Sequence, residues 1–330
     1  MVEGFFLILI AGIFQGAFVW PMGLQKGWSW ENGWFVFSLF GMLILNWLVA
    51  ILYIPNLCDI YQTVPIENLA ILGLLGIGWG CGSVLFGIGM DKLGMSLGYP
   101  IIMGLLALLG TMIPLFMSEL DSSFSLKVGL LLLGSIMILI GIVLCTKAHA
   151  FKVADQHAGN NYNVSTILIA IGAGVLSCLP NVGASVGKPI TEAAAVAGVS
   201  SLMAGNAVWA LLFTFGLFPN IAYTIYLLKH NRSFIYFKYN PLRNTLAGGL
   251  MAFLWIASFY LYGAGAFQMG TWGLIIGWPL FISLSIIIGN VLGILNGEWA
   301  NANKCAKKKL NWGMLLIIIA MAVIGFCNLL

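Results

Sequence analysis

Polar residues recur within and just after the sixth apolar segment of the sequence, which lies near residues 164–187. They stand at intervals of four, four, three and four residues: Ser177, Asn181, Ser185, Lys188 and Glu192. On a helix these positions fall within one arc of about 80°. Lipid exposure of each group would be costly, so the stripe is expected to line an interior surface or a water-filled cavity. A hydrogen-bonded helix–helix seam is the alternative, and Pro180 and Pro189 could break the phase of the stripe.

Lys188 and Glu192 lie one helical turn apart and offer acid–base chemistry. Of the ten carboxylates in the sequence, Glu192 is the only one within the stripe, and the three histidines fall in predicted loops. A carboxylate in a low-dielectric site holds a proton more readily, whereas a neighbouring ammonium favours the anion. The sequence therefore predicts a proton carrier at Glu192, with Lys188 tuning its proton affinity. A simple interfacial ion pair is the alternative, and Asp91 would then be the next candidate.

Aromatic and hydroxyl side chains form a second pattern on matching faces of other apolar segments. They are Trp79, Ser83 and Phe86 in the third, Tyr99 in the fourth, Trp255, Ser258 and Tyr262 in the eighth, and Trp278 in the ninth. Aromatic rings stack on the C–H faces of sugars, while amides and hydroxyls bond to sugar hydroxyls. The two patterns predict a substrate site between segments 1, 3, 4, 6, 8 and 9. Its expected residues are Gln15, Trp79, Ser83, Tyr99, Asn181, Trp255 and Trp278.

The composition places these residues in a membrane protein. Of the 330 residues, 61% are hydrophobic and 7% are charged, whereas soluble domains carry roughly 25% charged residues. So few charges exclude a soluble enzyme, a nucleic-acid-binding protein and a disordered chain. No serine–histidine–acid set, phosphate-binding loop or metal-ligand spacing is recognisable, so neither a cofactor nor a metal is expected.

The apolar residues fall in ten segments, each close to the 20 or so residues that a helix needs to cross a bilayer. They lie near 4–24, 33–54, 69–90, 96–117, 128–146, 164–187, 202–228, 244–264, 272–294 and 311–329. The predicted fold class is therefore an all-α membrane protein with ten transmembrane helices. Glu3 stands where a cleaved signal peptide would carry basic residues, so the first segment is predicted to be a retained span.

The chain also contains one pattern twice. The matched pairs are Ala11-Gly12 and Ala173-Gly174, Trp79 and Trp255, Phe86 and Tyr262, Tyr99 and Trp278, and Gly110 and Gly289. Five spans per half is an odd number, so the halves are predicted to insert in opposite orientations. The predicted units are a first repeat at 1–147, a cytoplasmic linker at 148–163 and a second repeat at 164–330. Chance agreement between glycine-rich helices is the alternative.

Inverted repeats hold substrate near the membrane midplane, where the halves meet, and rocking of the halves gives alternating access. The orientation of this fold follows from its basic residues. One set of loops carries Lys26, Lys92, Lys147, Lys152, Lys229, Arg232, Lys238, Arg243, Lys304, Lys307, Lys308 and Lys309. The other set carries only Lys127 and Lys188. The positive-inside rule then predicts that the first set is cytoplasmic and that both termini lie outside.

Several motifs together resemble those of one family, the bacterial L-rhamnose–proton symporters of the drug/metabolite transporter superfamily. The motifs are Lys26-Gly27-Trp28-Ser29-Trp30-Glu31, Trp79-Gly80 through Leu93-Gly94-Met95-Ser96, Lys188-Pro189 with Glu192-Ala193-Ala194-Ala195, Gly248-Gly249-Leu250-Met251, and Glu298-Trp299 with Asn301-Ala302. They occur in order over nearly the whole chain. The resemblance implies ten spans in two five-span repeats and proton-coupled sugar uptake.

The function expected from this reading is import of L-rhamnose or a related deoxy-sugar across the bacterial inner membrane. The expected partners are the sugar, protons and the lipid bilayer, and no nucleic acid is expected. The protein is expected to be a monomer or a homodimer. The proton gradient is expected to supply the energy. An exporter or facilitator of amino acids or small amphipathic metabolites is the alternative within transport. A membrane receptor or scaffold is the alternative outside transport, and the missing nucleophile and metal sets disfavour an enzyme.

Overall fold

The computed structural model describes residues 2–118, 126–153, 164–200 and 202–327. Within these ranges the chain is helical, with no strand. Ten helical segments are long and apolar enough to cross a membrane, which confirms the predicted all-α membrane fold. Numbered in order as spans 1 to 10, they are Val2–Leu24, Trp30–Tyr53, Ile66–Gly94, Leu97–Met117, Leu126–Lys152, Val164–Val196, Ala204–His230, Pro241–Gln268, Gly270–Leu295 and Lys304–Phe326.

Several spans contain more than one helical piece. The α-helices are Val2–Ala17, Trp30–Ser38, Leu45–Tyr53, Leu57–Thr63, Ile66–Met117, Leu126–Val153, Val164–Ser177, Leu179–Val186, Lys188–Val196, Ala207–His230, Pro241–Gln268, Gly273–Leu295 and Lys304–Phe326. Short 3₁₀ turns lie at Trp20–Leu24, Ala204–Asn206, Ser233–Lys238 and Gly270–Trp272, and a π-helical stretch lies at Leu39–Ile44. Spans 3 and 4 meet at Gly94, whose φ of 66° and ψ of −174° suit only glycine.

Span 6 is interrupted twice, at Cys178 and at Gly187. Each interruption comes just before a proline, Pro180 or Pro189, which lacks the backbone N–H that would continue the helical ladder. The polar stripe predicted on one continuous helix is therefore divided among three short helices. Its five residues do not share one environment.

The packing of the spans repeats between the halves. Span 1 packs against spans 8 and 9, and span 6 packs against spans 3 and 4. One close approach in each group involves a glycine of the matched pair Gly12 and Gly174. A Cβ at Gly12 would lie 2.8 Å from Leu284 Cβ, and a Cβ at Gly174 would lie 2.7 Å from Leu105 Cβ. Glycine lets the helix backbones approach at both places, as is common in membranes.

Eleven of the fourteen lysines and arginines lie in four segments at one end of the molecule, here called the basic end (residues 24–30, 147–153, 229–244 and 295–309). Three contacts hold them together: Lys26 N to Asn244 Oδ1 at 2.9 Å, Trp20 Nε1 to Asn296 Oδ1 at 3.2 Å, and the Lys152 ammonium 5.0 Å from the Trp299 ring centre. At the opposite end Lys127 lies 4.5 Å from the centre of the Trp272 ring. The basic residues are thus segregated as the sequence predicts.

The predicted division into repeats is not tested by this arrangement and stays a prediction. The helix of span 5 continues to Val153, past the predicted end of the first repeat at residue 147. Residues 154–163, the rest of the predicted linker, lie outside the described residues.

Candidate functional site

A cavity of about 1050 Å³ lies between spans 1, 2, 3, 4, 6, 7, 8 and 9. Spans 1, 3, 4, 6, 8 and 9 were expected from the sequence, and spans 2 and 7 add a further side to the wall. The lining residues are Gln15, Gly16, Phe18, Val19, Trp30, Trp34, Phe37, Met42, Trp79, Ser83, Phe86, Gly87, Ile88, Met90, Asp91, Lys92, Tyr99, Met103, Leu106, Ser177, Pro180, Tyr223, Leu227, Trp255, Phe259, Trp278, Phe281, Ile282, Ser285 and Gly289.

The cavity reaches the surface at the basic end. Its lining there includes the exposed residues Val19, Trp30, Asp91 and Lys92. Towards the opposite end, aromatic side chains from spans 7 and 8 close it. Trp209 stacks on Phe213 with ring centres 5.4 Å apart, and both side chains are fully buried. The structure is therefore open at one end and sealed at the other.

Six of the seven predicted substrate residues lie on the cavity wall. They are Gln15, Trp79, Ser83, Tyr99, Trp255 and Trp278. Trp79 and Trp255, which occupy matched positions in the repeated sequence pattern, stack on each other with ring centres 5.6 Å apart and an angle of 17° between the planes. Neither indole N–H donates a hydrogen bond to another described residue, which leaves both donors available to a ligand.

Two polar side chains on the wall are fixed by neighbours behind it. Ser258 Oγ donates to Gln15 Oε1 at 2.7 Å, which leaves the Gln15 amide NH₂ without a partner among the described residues. On the other side, Ser83 Oγ donates to Asn220 Oδ1 at 3.0 Å. Trp34 Nε1 donates to the same oxygen at 3.1 Å. A buried amide thereby orients one hydroxyl and one indole of the wall.

Asn220 is a site residue that the sequence reasoning missed. It is almost fully buried in span 7, and its Nδ2 donates to the Gly216 carbonyl at 3.0 Å. An asparagine in the middle of an apolar span, directly after Pro219, is the signal that could have identified it, because a buried amide needs partners.

Asn181, the seventh predicted residue, lies behind the wall and is fully buried. Its Nδ2 donates to the carbonyls of Gly110, at 2.7 Å, and Leu274, at 3.0 Å. Its Oδ1 accepts from the Tyr262 hydroxyl. Both amide hydrogens and the carbonyl oxygen of Asn181 therefore form hydrogen bonds to spans 4, 8 and 9. In this conformation Asn181 joins these spans and does not face the cavity.

Lys188 and Glu192 lie away from the cavity, at the opposite end of span 6. Their side chains are 74% and 64% exposed, and Lys188 Nζ lies 3.7 Å from Glu192 Oε1. An exposed pair of this kind contributes less than about 1 kcal/mol to stability. The placement fits the alternative of a surface ion pair, and the coupling role of Glu192 stays a prediction.

Two other carboxylates occupy more distinctive positions. Asp91 lies at the mouth of the cavity and is the one carboxylate on its wall within the described chain. Glu31, which the sequence reasoning did not single out as a site residue, is 5% exposed at the start of span 2. It accepts from Asn231 Nδ2 at 3.0 Å and from the Ser233 hydroxyl, so it joins span 2 to the loop after span 7. Its position in the first helical turn, where a carboxylate is favoured, was the available signal.

Comparison with known proteins agrees with this geometry. The family model for the L-rhamnose-proton symport protein (RhaT) matches residues 1–329. Proteins named L-rhamnose-proton symporter from Citrobacter koseri, Shigella dysenteriae and Escherichia coli are each 28% identical to this chain, over 98% of it and 96% of their own length. The match runs through all ten spans and the whole cavity. The chain therefore belongs to the L-rhamnose-proton symport protein family.

Proposed function

We propose that this protein imports L-rhamnose or a related deoxy-sugar across the bacterial inner membrane together with protons, by alternating access. The observation that carries the proposal is the cavity between the two halves, with stacked indoles and unpaired hydrogen-bond donors on its wall. The names of the family and of the relatives supply the sugar and the ion. The proton gradient supplies the energy, and no cofactor is needed.

The chemistry of the wall favours a neutral polyhydroxyl ligand over an amino acid. Below the mouth, where Asp91 and Lys92 lie, the lining residues of the described chain carry no formal charge. An amino acid would bury an ammonium and a carboxylate, which need charged or strongly hydrogen-bonding partners. A deoxy-sugar offers C–H faces and a methyl group to the aromatic wall, and hydroxyls to the Gln15 amide and the indole N–H groups.

The contacts of matched residues support two inverted halves. Trp79 packs edge-to-face on Phe213 at 5.1 Å, and Trp255 packs edge-to-face on Phe37 at 5.6 Å. Phe37 and Phe213 differ by 176 positions, as the two tryptophans do. The tryptophan of each half thus contacts the matched phenylalanine of the other half. Such an exchange is expected around a pseudo-two-fold axis near the stacked indoles.

The direction of opening follows from the charge of the loops. The positive-inside rule assigns the basic end to the cytoplasm. The cavity then opens inward in this structure, and both chain ends lie on the outer side of the membrane. On this assignment the opening is the one from which sugar leaves for the cytoplasm.

Two carboxylates are our candidates for the coupled proton, and they lie at different ends. Glu192, with Lys188, is the candidate from the sequence and lies at the end assigned to the outside. Asp91 lies at the inner mouth of the cavity. Coupling requires that the proton and the sugar favour the same conformations, so that the carrier rarely crosses with only one of them. A carboxylate at a mouth can meet that requirement if closure removes it from water.

Uptake into proteoliposomes tests the proposal. We expect labelled L-rhamnose to accumulate above equilibrium when the inside is made alkaline, and only to equilibrate without the gradient. A panel of other hexoses, deoxy-hexoses and amino acids defines the substrate. Gradient-independent equilibration of amino acids would favour the facilitator, and binding of sugar without any flux would favour the receptor.

A further inference from the structure

The seal at the opposite end includes one contact that depends on a glycine. Trp278 Nε1, on span 9, donates to the Leu106 carbonyl on span 4 at 3.1 Å. The Trp278 indole also covers Gly110, one turn further along span 4, and any Cβ at Gly110 would overlap the indole. Spans 4 and 9 are therefore locked together at this end by an aromatic ring on a glycine and a hydrogen bond.

The matched residues of the other half lie at the basic end. With the offset of 179 that relates span 4 to span 9, Trp278 corresponds to Tyr99, Gly110 to Gly289 and Leu106 to Ser285. All three counterparts, Tyr99, Ser285 and Gly289, line the cavity. The elements of the same contact are thus present a second time, on opposite walls of the open mouth.

These counterparts are apart in this structure. A Cβ at Gly289 would meet nothing nearer than the Gly16 carbonyl oxygen at 3.9 Å, so the Tyr99 ring does not cover it. The Tyr99 hydroxyl forms no hydrogen bond with any other described residue, although its ring lies on the wall of the cavity. Nothing in the present conformation accounts for a glycine at position 289.

We propose that Tyr99 and Gly289 form the inner gate of the transport cycle. In the outward-facing state the Tyr99 ring packs on Gly289, and its hydroxyl donates to the Ser285 carbonyl, as Trp278 now does at Gly110 and Leu106. This inference rests on the proposed alternating access and adds the residues that close the inner side. The two closures exclude each other, because each draws spans 4 and 9 together at one end of the membrane.

A second matched contact supports the same gate. At the sealed end the Tyr262 hydroxyl donates to Asn181. The counterpart of Tyr262 is Phe86, and the offset of 162 between spans 1 and 6 makes Val19 the counterpart of Asn181. Phe86 and Val19 both line the open mouth, so closure brings an apolar pair together where the sealed end has a hydrogen bond.

Alanine at each glycine tests the gate, because the two substitutions should have opposite effects. Gly289→Ala fits the present state and should block inner closure, so it should favour the inward-facing state. Gly110→Ala conflicts with the Trp278 ring and should favour the outward-facing state. Gly172→Ala, on span 6, is the control, since its Cβ would lie 3.5 Å from Leu85 Cδ1 and its counterpart, Ile10, already carries an exposed side chain.

Hydrogen–deuterium exchange of the protein in lipid nanodiscs, without sugar, is the measurement. We expect Gly289→Ala to slow exchange in peptides from the sealed end, around 106–117 and 270–280, and Gly110→Ala to speed it there. Gly289→Ala should also lower gradient-driven uptake by about tenfold or more while sugar binding stays within about twofold. Gly172→Ala should match the unsubstituted protein in each assay.

Exchange shifts of the same sign in both variants, or a Gly289→Ala protein that exchanges like Gly172→Ala, would overturn the gate. If Gly110→Ala does not fold, the comparison of Gly289→Ala with Gly172→Ala decides alone. Exchange needs no substrate, so it tests the gate separately from the proposed function. Absence of L-rhamnose uptake by the unsubstituted protein would instead refute the proposed substrate.

Discussion

At the scale of single residues, the stacked pair Trp79 and Trp255 limits what the cavity accepts. The indoles form an apolar plate, and each packs against Phe213, whose ring centre lies 5.1 and 4.6 Å from theirs. Each still carries an unpaired N–H. A ligand that matches this plate has one apolar face and hydroxyls at its edge, which describes a deoxy-sugar.

Trp79→Phe removes the N–H donor and keeps an aromatic ring on the plate. We expect the affinity for L-rhamnose to fall roughly 2- to 12-fold, because one hydrogen bond contributes about 0.5–1.5 kcal/mol. Isothermal titration calorimetry in detergent measures the change. Trp312→Phe is the matched control, since Trp312 is 57% exposed on span 10, away from the cavity. An equal loss in both variants would mean that Trp79 gives the sugar no hydrogen bond.

The two candidate carboxylates can be separated by comparing two modes of transport. A residue that carries the coupled proton should, when neutralised, lose gradient-driven accumulation and keep sugar–sugar counterflow, which needs no net proton movement. We expect this pattern for Asp91→Asn, because Asp91 lies on the cavity wall. The sequence hypothesis predicts the same pattern for Glu192→Gln. Normal accumulation by Glu192→Gln would assign Glu192 and Lys188 to a surface ion pair.

At the scale of elements, span 6 depends on Asn181 to hold its broken helices in place. Helix Leu179–Val186 follows an interruption, and the Asn181 amide ties it to the carbonyls of Gly110 and Leu274. Removing that side chain leaves two buried carbonyls and one tyrosine hydroxyl without their partner. Removal of the Asn181 side chain should therefore lower the stability of the fold more than it lowers the affinity for sugar.

Asn181→Ala should lower the free energy of unfolding by about 1–3 kcal/mol, the cost of leaving buried polar groups unpaired. Thermal denaturation in detergent, with and without sugar, measures it. Asn311→Ala is the control, because Asn311 is exposed on span 10 and forms no hydrogen bond with another described residue. A normal melting temperature combined with lost sugar binding would instead indicate that Asn181 contacts the sugar.

Sequence patterns predict some elements of this structure and miss others. Length and hydropathy predicted all ten spans, because crossing a bilayer imposes one requirement on every helix. The repeated sequence pattern indicated Trp79 and Trp255, which it pairs, and the two rings contact each other in the structure. The share of span 2 in the wall was not predictable, since Phe37 and Met42 lie in a largely apolar run that does not reveal which face is turned inward, whereas Asn220 was the available signal for span 7. The stripe on span 6 assumed one continuous helix, whereas Cys178 and Gly187 interrupt it just before the two prolines at which the sequence allowed a break.

At the scale of the whole molecule, the basic residues and the opening of the cavity lie at the same end. The basic end carries the open mouth, and the opposite end carries the seal. Two exposed native cysteines mark these ends: Cys58 lies between spans 2 and 3, and Cys305 lies at the start of span 10. They report the orientation of the protein without added residues.

A membrane-impermeant maleimide should label Cys58 in intact cells and Cys305 only in inside-out vesicles. The reason is that the positive-inside rule assigns Cys305 to the cytoplasm. Mass spectrometry of the labelled peptides identifies the site, and Cys58→Ser and Cys305→Ser proteins confirm each assignment. Labelling of Cys305 from the outside would reverse the proposed orientation, and the cavity would then open outward.

The stacked tryptophans also give the protein an intrinsic optical signal. Two indoles 5.6 Å apart, with an angle of 17° between their planes, have coupled electronic transitions, and such coupling produces a paired positive and negative band in circular dichroism. Because Trp79 lies on span 3 and Trp255 on span 8, the alternating access proposed above would change the angle between the two rings and therefore the band pair. We expect either Trp79→Phe or Trp255→Phe to abolish it. Proton and sugar titrations of the unlabelled protein should then report the conformational equilibrium as a change in ellipticity.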